Sequence, residues 1–331
     1  MTLDPGSFKA VELHDRAAIQ PFLAAAGRVS SDYNFANLYA WGEIYGLRWK
    51  IHRDRLLVYS GKDDVLLMPV GAPIGAEELR AISDEFRNRG KSGGFALVDA
   101  EFAEGNPSLA AHFDPRVDPD NADYVYSTKA LVELKGNKLH KKKNLLSQFR
   151  RNNPGCRCEA MTKRHAAECF SLAEKWCEEK SCEEIGFTHE TSAMKRAFDR
   201  FEELGLEGLV LFTDGRLAAF SIFDRLNRNT ADVHFEKYDP EIKGSAQAIN
   251  WETARVLQGV YEYLNREQDL GIEGLRKAKQ SYCPAFTVKT YLLRRRADKS
   301  QIPRPPRLSE SDGGQANPKS KKEQGSGVAP S

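Results

Sequence analysis

The chain has 331 residues, of which 40% are hydrophobic and 29% charged, and its formal net charge is +2. A chain of this length ordinarily folds as two domains of roughly 100–200 residues each. The small net charge excludes a protein that binds nucleic acid through an overall basic surface. No segment reaches the about 18 consecutive apolar residues that a membrane helix needs. Residues 1–10 lack the pattern of an export signal, so we expect a cytoplasmic protein.

Cysteine spacing argues against a disulfide framework or a zinc finger. No CxxC pair occurs, and no histidines lie at zinc-finger spacing. Free, mostly buried thiols are the simpler interpretation, and a redox or metal site at Cys156 and Cys158 is the alternative. The six cysteines are Cys156, Cys158, Cys169, Cys177, Cys182 and Cys283.

The first half of the chain alternates predicted helices and strands. Ile19, Phe22 and Leu23 recur at helical spacing, and Gly27 is a typical end for that helix. Residues 33–41 predict a short helix with an aromatic face. We find no catalytic constellation in this half. Its other predicted elements are a hairpin of residues 49–52 and 56–59, a strand at 65–70, a helix at 77–89 and a strand at 95–98.

The second half is more regular. Apolar stripes predict helices within residues 166–176 and 194–204, and Asp214-Gly215 predicts the turn of a hairpin. Residues 230–237 alternate as in a strand. That alternation places Ala231, Val233 and Phe235 on one face and Asp232, His234 and Glu236 on the other. A helix near 249–260, a polar strand and loop at 263–271, a short basic helix and a strand at 286–293 follow.

This order of elements is that of an α+β fold related to the GCN5-related acetyltransferases. We expect two tandem acetyltransferase-like domains, residues 1–125 and 126–297, with mixed, mostly antiparallel sheets flanked by helices. The tail at residues 298–331 is basic and has few apolar residues, so we expect it to be disordered.

Several segments resemble the C-terminal catalytic domain family of the phosphatidylglycerol lysyltransferases, over roughly residues 10–293. The family's best-known members move an amino acid from aminoacyl-tRNA onto a lipid headgroup, whereas this chain lacks their multi-span membrane portion. The resemblance therefore implies the tandem acetyltransferase-like fold and a transferase activity. The matching segments are 135–144 (KGNKLHKKKN), 234–240 (HFEKYDP) with Gly244 and 247–250 (QAIN), 265–267 (NRE), 269–271 (DLG), 272–279 (IEGLRKAK) and the aromatic residues 35–41.

A basic run indicates a phosphate-rich ligand. Residues 135–151 contain seven Lys or Arg and no Asp or Glu, a composition that attracts the phosphates of tRNA or coenzyme A. A glycine turn before a helix, at Gly244, can bind an anion with its amides. The alternatives are a solvated basic face and an ordinary turn. The phosphate-binding candidates are Lys141, Lys142, Lys143, Lys243, Gly244 and Ser245.

The matched segments also contain candidate catalytic residues. Glu236 or His234 would take a proton from an attacking amine. Asp269 would orient that amine. Tyr282, which lies just after the matched segments, would protonate the leaving group by analogy with acetyltransferases. Arg276 would bind an anionic group of the donor or acceptor. A structural salt-bridge cluster is the alternative. The further substrate-binding candidates are Asn265, Arg266, Glu273 and Lys279.

We therefore expect an acyl or aminoacyl transferase. It would move its group from aminoacyl-tRNA or acyl-CoA, bound between the domains, to an amine or hydroxyl acceptor. No permanently bound cofactor and no metal is expected. The competing hypothesis is a non-catalytic module of the same fold that binds nucleic acid or an anionic partner.

Overall fold

A computed structural model describes residues 3–179 and 185–296 of the protein, with backbone alone at 176–179 and 185–188. The predicted tail, Cys182 and the side chain of Cys177 lie outside this description. None of the described helices is long and apolar enough to cross a lipid bilayer. The helices are α1 (Arg16–Ala26), α2 (Phe35–Ala40), α3 (Gly42–Tyr45), α4 (Ala76–Arg87), α5 (Ala100–Gly105), α6 (Thr128–Glu133), α7 (His140–Asn152), α8 (Ala166–Glu179), α9 (Ile185–Asp199), α10 (Ser245–Leu257) and α11 (Glu273–Gln280).

The strands form a single 13-stranded sheet in the order β1-β2-β3-β4-β6-β13-β7-β12-β11-β10-β9-β8, with β5 paired to β3. Only β4 with β6 and β11 with β12 are parallel pairs among these strands. The strands are β1 (Lys9–Ala10), β2 (Leu47–His52), β3 (Arg55–Ser60), β4 (Val65–Leu67), β5 (Val70–Gly71), β6 (Gly94–Asp99), β7 (Phe113–Ser127), β8 (Arg157–Ala160), β9 (Glu207–Thr213), β10 (Arg216–Arg225), β11 (Thr230–Tyr238), β12 (Tyr263–Asn265) and β13 (Phe286–Arg295). The protein thus has the α+β fold with a mostly antiparallel sheet that its sequence predicts.

The two halves repeat one order of elements. In the first half, β2, β3 and β4 are antiparallel neighbours, and α4 leads from there to β6, which runs parallel to β4. In the second half, β9, β10 and β11 are antiparallel neighbours, and α10 leads to β12, which runs parallel to β11. A crossover helix is the usual connection between parallel strands, so each half has the same strand–helix–strand unit.

The last long strand of each half pairs with the other half. β7 pairs with β12, β13 pairs with β6, and β7 and β13 pair with each other from Phe286–Val125 to Arg295–Phe113. The boundary expected between residues 125 and 126 falls within β7. The two halves therefore share one sheet, and whether they fold as separate domains stays a prediction.

Apolar residues alternate between the two faces of the second half's sheet. On β9, Val210 and Phe212 belong to one core cluster, which includes residues of α8 and α9. Leu209 and Leu211 belong to another, which includes residues of α7 and α10. We call these two sides the α9 face and the α10 face.

Helix α7 packs closely against the start of α10 at Gly244. The φ of Gly244 is 90°, in the left-handed region that glycine tolerates best. A Cβ at this position would lie 2.7 Å from the Leu145 carbonyl oxygen and 2.8 Å from the Phe149 Cβ, both on α7. Glycine is required here for the backbone conformation and also for the close approach of α7.

The shared sheet predicts a single cooperative unfolding transition for both halves. Two variants would report this, one keeping only Trp49 on β2 and one keeping only Trp251 on α10, with the other tryptophans replaced by Phe. We expect the urea midpoints from the two fluorescence signals to coincide. Well-separated midpoints would show that the halves are independent domains.

Replacement of Gly244 by Ala should destabilise the protein through a clash as well as through backbone strain. Gly136→Ala is a matched control, because Gly136 also has a φ of 90° but has open space where its Cβ would lie. We expect Gly244→Ala to lower the free energy of unfolding by about 1–3 kcal/mol more than the control does, the usual range for overpacking. Equal losses in urea denaturation would show that α7 does not restrict this position.

Candidate functional site

The parallel pair β11–β12 separates after three residue pairs. Pairing runs from Thr230–Tyr263 to Asp232–Asn265. Beyond that point the chain follows β7 instead, since the Arg266 amide donates to the Tyr124 carbonyl (3.0 Å) and the Tyr124 amide to the Glu267 carbonyl (3.2 Å). β11 continues beside β10 as far as Tyr238. We call the resulting opening in the sheet the splay.

A β-bulge lies at the splay and changes which face each β11 residue occupies. Ile222 pairs with Phe235 and Phe223 with Val233, so His234 is an extra residue in β11. Accordingly, Val233 packs in the cluster of the α10 face, whereas Phe235 packs in that of the α9 face. The predicted alternation is therefore wrong beyond His234, and His234 and Glu236 lie on opposite faces.

Glu236 lies on the α10 face and pairs with Arg266. The Arg266 Nη2 donates to Glu236 Oε1 at 2.7 Å. The Arg266 guanidinium lies over the rings of Tyr126 and Tyr282, 5.6 and 5.2 Å from their centroids. Glu236 Oε2 is buried and has no hydrogen-bond partner among the described residues. One carboxylate oxygen is thus fixed by Arg266, and the other has no partner among the described residues.

Tyr282 connects α7 to the side chains of Glu236 and Arg266. Burial raises the pKa of the Tyr282 hydroxyl to about 12, so this group keeps its proton at neutral pH. The Lys142 ammonium lies 4.3 Å from the centroid of the same ring. Burial, and then the charge of Arg266, lower the pKa of Lys142. Lys142 therefore belongs with Glu236, Arg266 and Tyr282 to one cluster of side chains, which we call the Glu236 group. Its neighbours on α7, Lys141 and Lys143, are exposed.

His234 lies on the α9 face in a buried polar network. Its Nε2 is 3.0 Å from Asp224 Oδ1, and its Nδ1 is 3.1 Å from Asn37 Oδ1 and 3.2 Å from Glu267 Oε1. Burial alone would lower the pKa of His234, but the carboxylates of Asp232 and Asp224 outweigh burial and hold it well above its ordinary value. The carboxylates around His234 therefore favour a positive charge at this position.

The first half contributes polar residues to this network that the sequence analysis missed. Asn34 and Asn37 lie at the start of α2, and the Asn34 amide donates to Asp224 (2.6 Å) and Asp232 (3.3 Å). Nearby, burial raises the pKa of Asp123 to about 6. The available signal was a pair of asparagines three residues apart on a short aromatic helix, which places them on one side of that helix.

The loop after β12 is held by several of the predicted residues. The Lys279 ammonium donates to the carbonyls of Arg266, Glu267 and Gln268 at 2.6, 3.0 and 2.5 Å. Asn265 donates to Asp123 (2.9 Å), so it ties the same segment to β7. Burial lowers the pKa of Lys279 to about 8.

Asp269 and Arg276 bind each other. Arg276 Nε and Nη2 donate to the two Asp269 oxygens at 2.8 and 2.7 Å, and Nη2 also donates to Asp120 (2.7 Å). Asp269 accepts a further bond from the Tyr124 hydroxyl (2.6 Å). Within the described residues, the ion-pair partners of Arg276 are thus Asp269 and Asp120, not Glu236. Glu273 is exposed and pairs with Lys277 on α11.

The phosphate-binding candidates separate into exposed and covered groups. Lys141 and Lys143 on α7 and Lys243 before α10 are exposed. Gly244 and Ser245 are buried, and the Ser245 hydroxyl donates to the Asp239 carbonyl (3.1 Å). The start of α10, where an acetyltransferase-like anion site would lie, is thus packed against α7.

The thiols carry no sign of a redox or metal centre in the part of the chain that is described. Cys156, Cys158, Cys169 and Cys283 are free. Burial raises the pKa of the Cys158 thiol to about 12, which disfavours the reactive thiolate.

Known proteins resemble this chain over most of its length. The structure superposes on a conserved protein of unknown function from Bacteroides thetaiotaomicron with a TM-score of 0.82 and 32% identity, covering 89% of this chain and 100% of that one. The C-terminal domain of a protein described as a lysylphosphatidylglycerol synthetase, from Agrobacterium fabrum, superposes with a TM-score of 0.59 and 15% identity over 86% of this chain and 92% of that one.

Two further known proteins show weaker similarity to the chain. An acetyltransferase from Colwellia psychrerythraea has a TM-score of 0.50 at 12% identity over 86% of this chain and 97% of that one, a likeness of fold alone. An uncharacterized protein of Mycoplasmoides gallisepticum is 25% identical over 179 residues, 53% of this chain and 56% of that protein. The chain thus spans little more than half the length of this curated relative. Residues 24–294 match the family described as phosphatidylglycerol lysyltransferase, C-terminal, and the chain belongs to that family.

Proposed function

We propose that the protein is an aminoacyltransferase that moves an amino acid from aminoacyl-tRNA to an amine or hydroxyl acceptor at the α10 face of the splay. The observation that carries this proposal is Glu236, whose Oε1 is fixed by Arg266 while its buried Oε2 has no partner among the described residues. A carboxylate held in this way is suited to take a proton from an acceptor as it attacks a carbonyl. The family that the chain belongs to supports the same class of reaction.

The proposed step is an acyl transfer with two proton movements. The acceptor nitrogen or oxygen forms a bond to the ester carbonyl carbon, and the bond from that carbon to the ribose oxygen breaks. Glu236 takes the proton of the acceptor. Tyr282, whose raised pKa keeps it protonated, gives a proton to the departing ribose oxygen. Arg266 touches both side chains and stabilises the negative charge that develops between them.

The packing of α10 favours aminoacyl-tRNA over acyl-CoA as the donor. In acetyltransferases a glycine-rich turn at the corresponding helix binds the pyrophosphate of coenzyme A. Here that turn has Gly244 against α7 and a buried Ser245. The exposed basic residues lie on α7 itself, next to the Glu236 group, where they would contact the phosphates of a nucleic acid.

Exchange of Lys141 and Lys143 together for Ala should weaken tRNA binding, with Lys142 retained because it contacts Tyr282. The plot of log K against log salt should become less steep by about 1.4–1.8 units if each lysine contacts one phosphate. Fluorescence anisotropy with labelled tRNA at several salt concentrations measures this slope. Lys62 and Lys91, exposed residues of the first half, make the matched double-Ala control. An unchanged slope in the α7 variant would assign these lysines to solvent, and tight binding of coenzyme A would favour the other donor.

Glu236→Gln should abolish most of the transfer while leaving tRNA binding intact. The assay would follow labelled amino acids from a mixture of charged tRNAs onto a panel of acceptors that includes amines and phosphatidylglycerol vesicles. Loss of a general base typically lowers turnover by about 10²-fold or more. Glu262→Gln, at an exposed position just before β12, is the control. If wild-type protein binds tRNA but transfers nothing to any acceptor, the non-catalytic module becomes the better explanation.

A further inference from the structure

Three ligand-type side chains converge on the α9 face of the splay, away from the Glu236 group. Asp232, His234 and Glu267 each offer one atom, and these atoms all lie within 4.8 Å of one another. His234 Nδ1 is 3.2 Å from Glu267 Oε1 and 3.8 Å from Asp232 Oδ2. Two ligands bound at about 2.1 Å to a tetrahedral ion are separated by about 3.4 Å. The separations of His234 Nδ1 from the two carboxylate oxygens therefore bracket the spacing expected in a metal coordination shell.

A separate observation concerns Asp232 itself. Its side chain is 0% exposed, and its Oδ1 has no hydrogen-bond partner among the described residues. A buried carboxylate oxygen without a donor is costly. The other oxygen, Oδ2, faces His234 Nδ1 and accepts a hydrogen bond from the Asn34 side-chain amide at 3.3 Å. A bound cation would compensate the charge of this carboxylate.

The surroundings also fit a metal ligand set. Asp224 binds His234 Nε2 at 3.0 Å, the arrangement in which a carboxylate orients a histidine so that its other nitrogen binds a metal. Asn37 Oδ1 lies 3.1 Å from His234 Nδ1 and is available as a fourth ligand. With neutral imidazole, Asp224, Asp232 and Glu267 bring three negative charges, which a divalent ion would largely offset.

We propose that Asp232, His234 Nδ1 and Glu267 bind a divalent ion of the zinc or manganese class, with the Asn37 amide oxygen as a further ligand. One imidazole with carboxylate and amide oxygens favours these ions over calcium and magnesium. The ion joins β11 to the loop after β12 across the splay. Arg266 precedes Glu267 in the chain, so the ion also fixes the residue that holds Glu236.

The test is metal content and metal binding of the full-length protein purified without a metal-affinity step. We expect about one zinc or manganese ion per chain by elemental analysis. After treatment with a chelator, titration with Zn²⁺ or Mn²⁺ should restore a single saturable site and raise the melting temperature by several degrees, since the ion binds only the folded state.

Two variants and one control locate the site. Asp232→Asn and Glu267→Gln should each weaken metal binding about 100-fold or more, because loss of even an outer partner costs 10- to 100-fold. Glu267 lies in a loop, so its variant tests the site even if Asp232→Asn fails to fold. His165→Gln is the matched control, since His165 is a buried histidine beside a carboxylate, Glu159, outside this cluster. Absence of a one-to-one site in wild-type protein, or unchanged binding in Glu267→Gln, overturns the proposal.

Discussion

The structure around the splay depends on where the pairing of β11 with β12 stops. After Asp232 and Asn265 the two strands follow different neighbours, because the bulge at His234 changes the course of β11 while backbone bonds to Tyr124 keep the other chain on β7. A continuous pair of strands would leave no room for side chains between them. The separation instead lets groups from both strands meet within the sheet, sheltered from water by helices on each face.

Two consecutive residues, Arg266 and Glu267, make contacts on opposite faces of the sheet at the splay. Arg266 binds Glu236 on the α10 face, and Glu267 binds His234 on the α9 face. Glu267 has a φ of 57°, a conformation that is strained for a residue with a side chain. Three carbonyl bonds from Lys279 and the Asp269–Arg276 pair hold the loop in place. The Asp269–Arg276 ion pair is the kind of structural contact that was the alternative interpretation, and the loop that it helps to hold places Arg266 beside Glu236.

Local signals in the sequence were sufficient to predict most of the helices and strands. The helix ending at Gly27 and the hairpin at Asp214-Gly215 both occur as predicted. β7 was missed because Pro115, Pro119 and several aspartates hide its alternation, and proline is unusual inside a sheet. The bulge was missed because one extra residue leaves no mark in the pattern of residues 230–237, although it reverses the face of Glu236. The contact between His234 and Glu267 was not predicted because 33 positions separate the two residues, and only the strand pairing brings them together.

The position of β13 also affects how the protein emerges from the ribosome. β13 is the last of the described elements to be synthesised, yet it lies between β6 and β7 in the sheet. At typical rates of translation, β13 is synthesised about 10–40 s after β6. During that time Phe95 and Val98, both fully buried in the finished protein, lie on a strand with an unpaired edge. Such an edge readily pairs with other chains, so the nascent first half would be a substrate for chaperones until its final strand arrives.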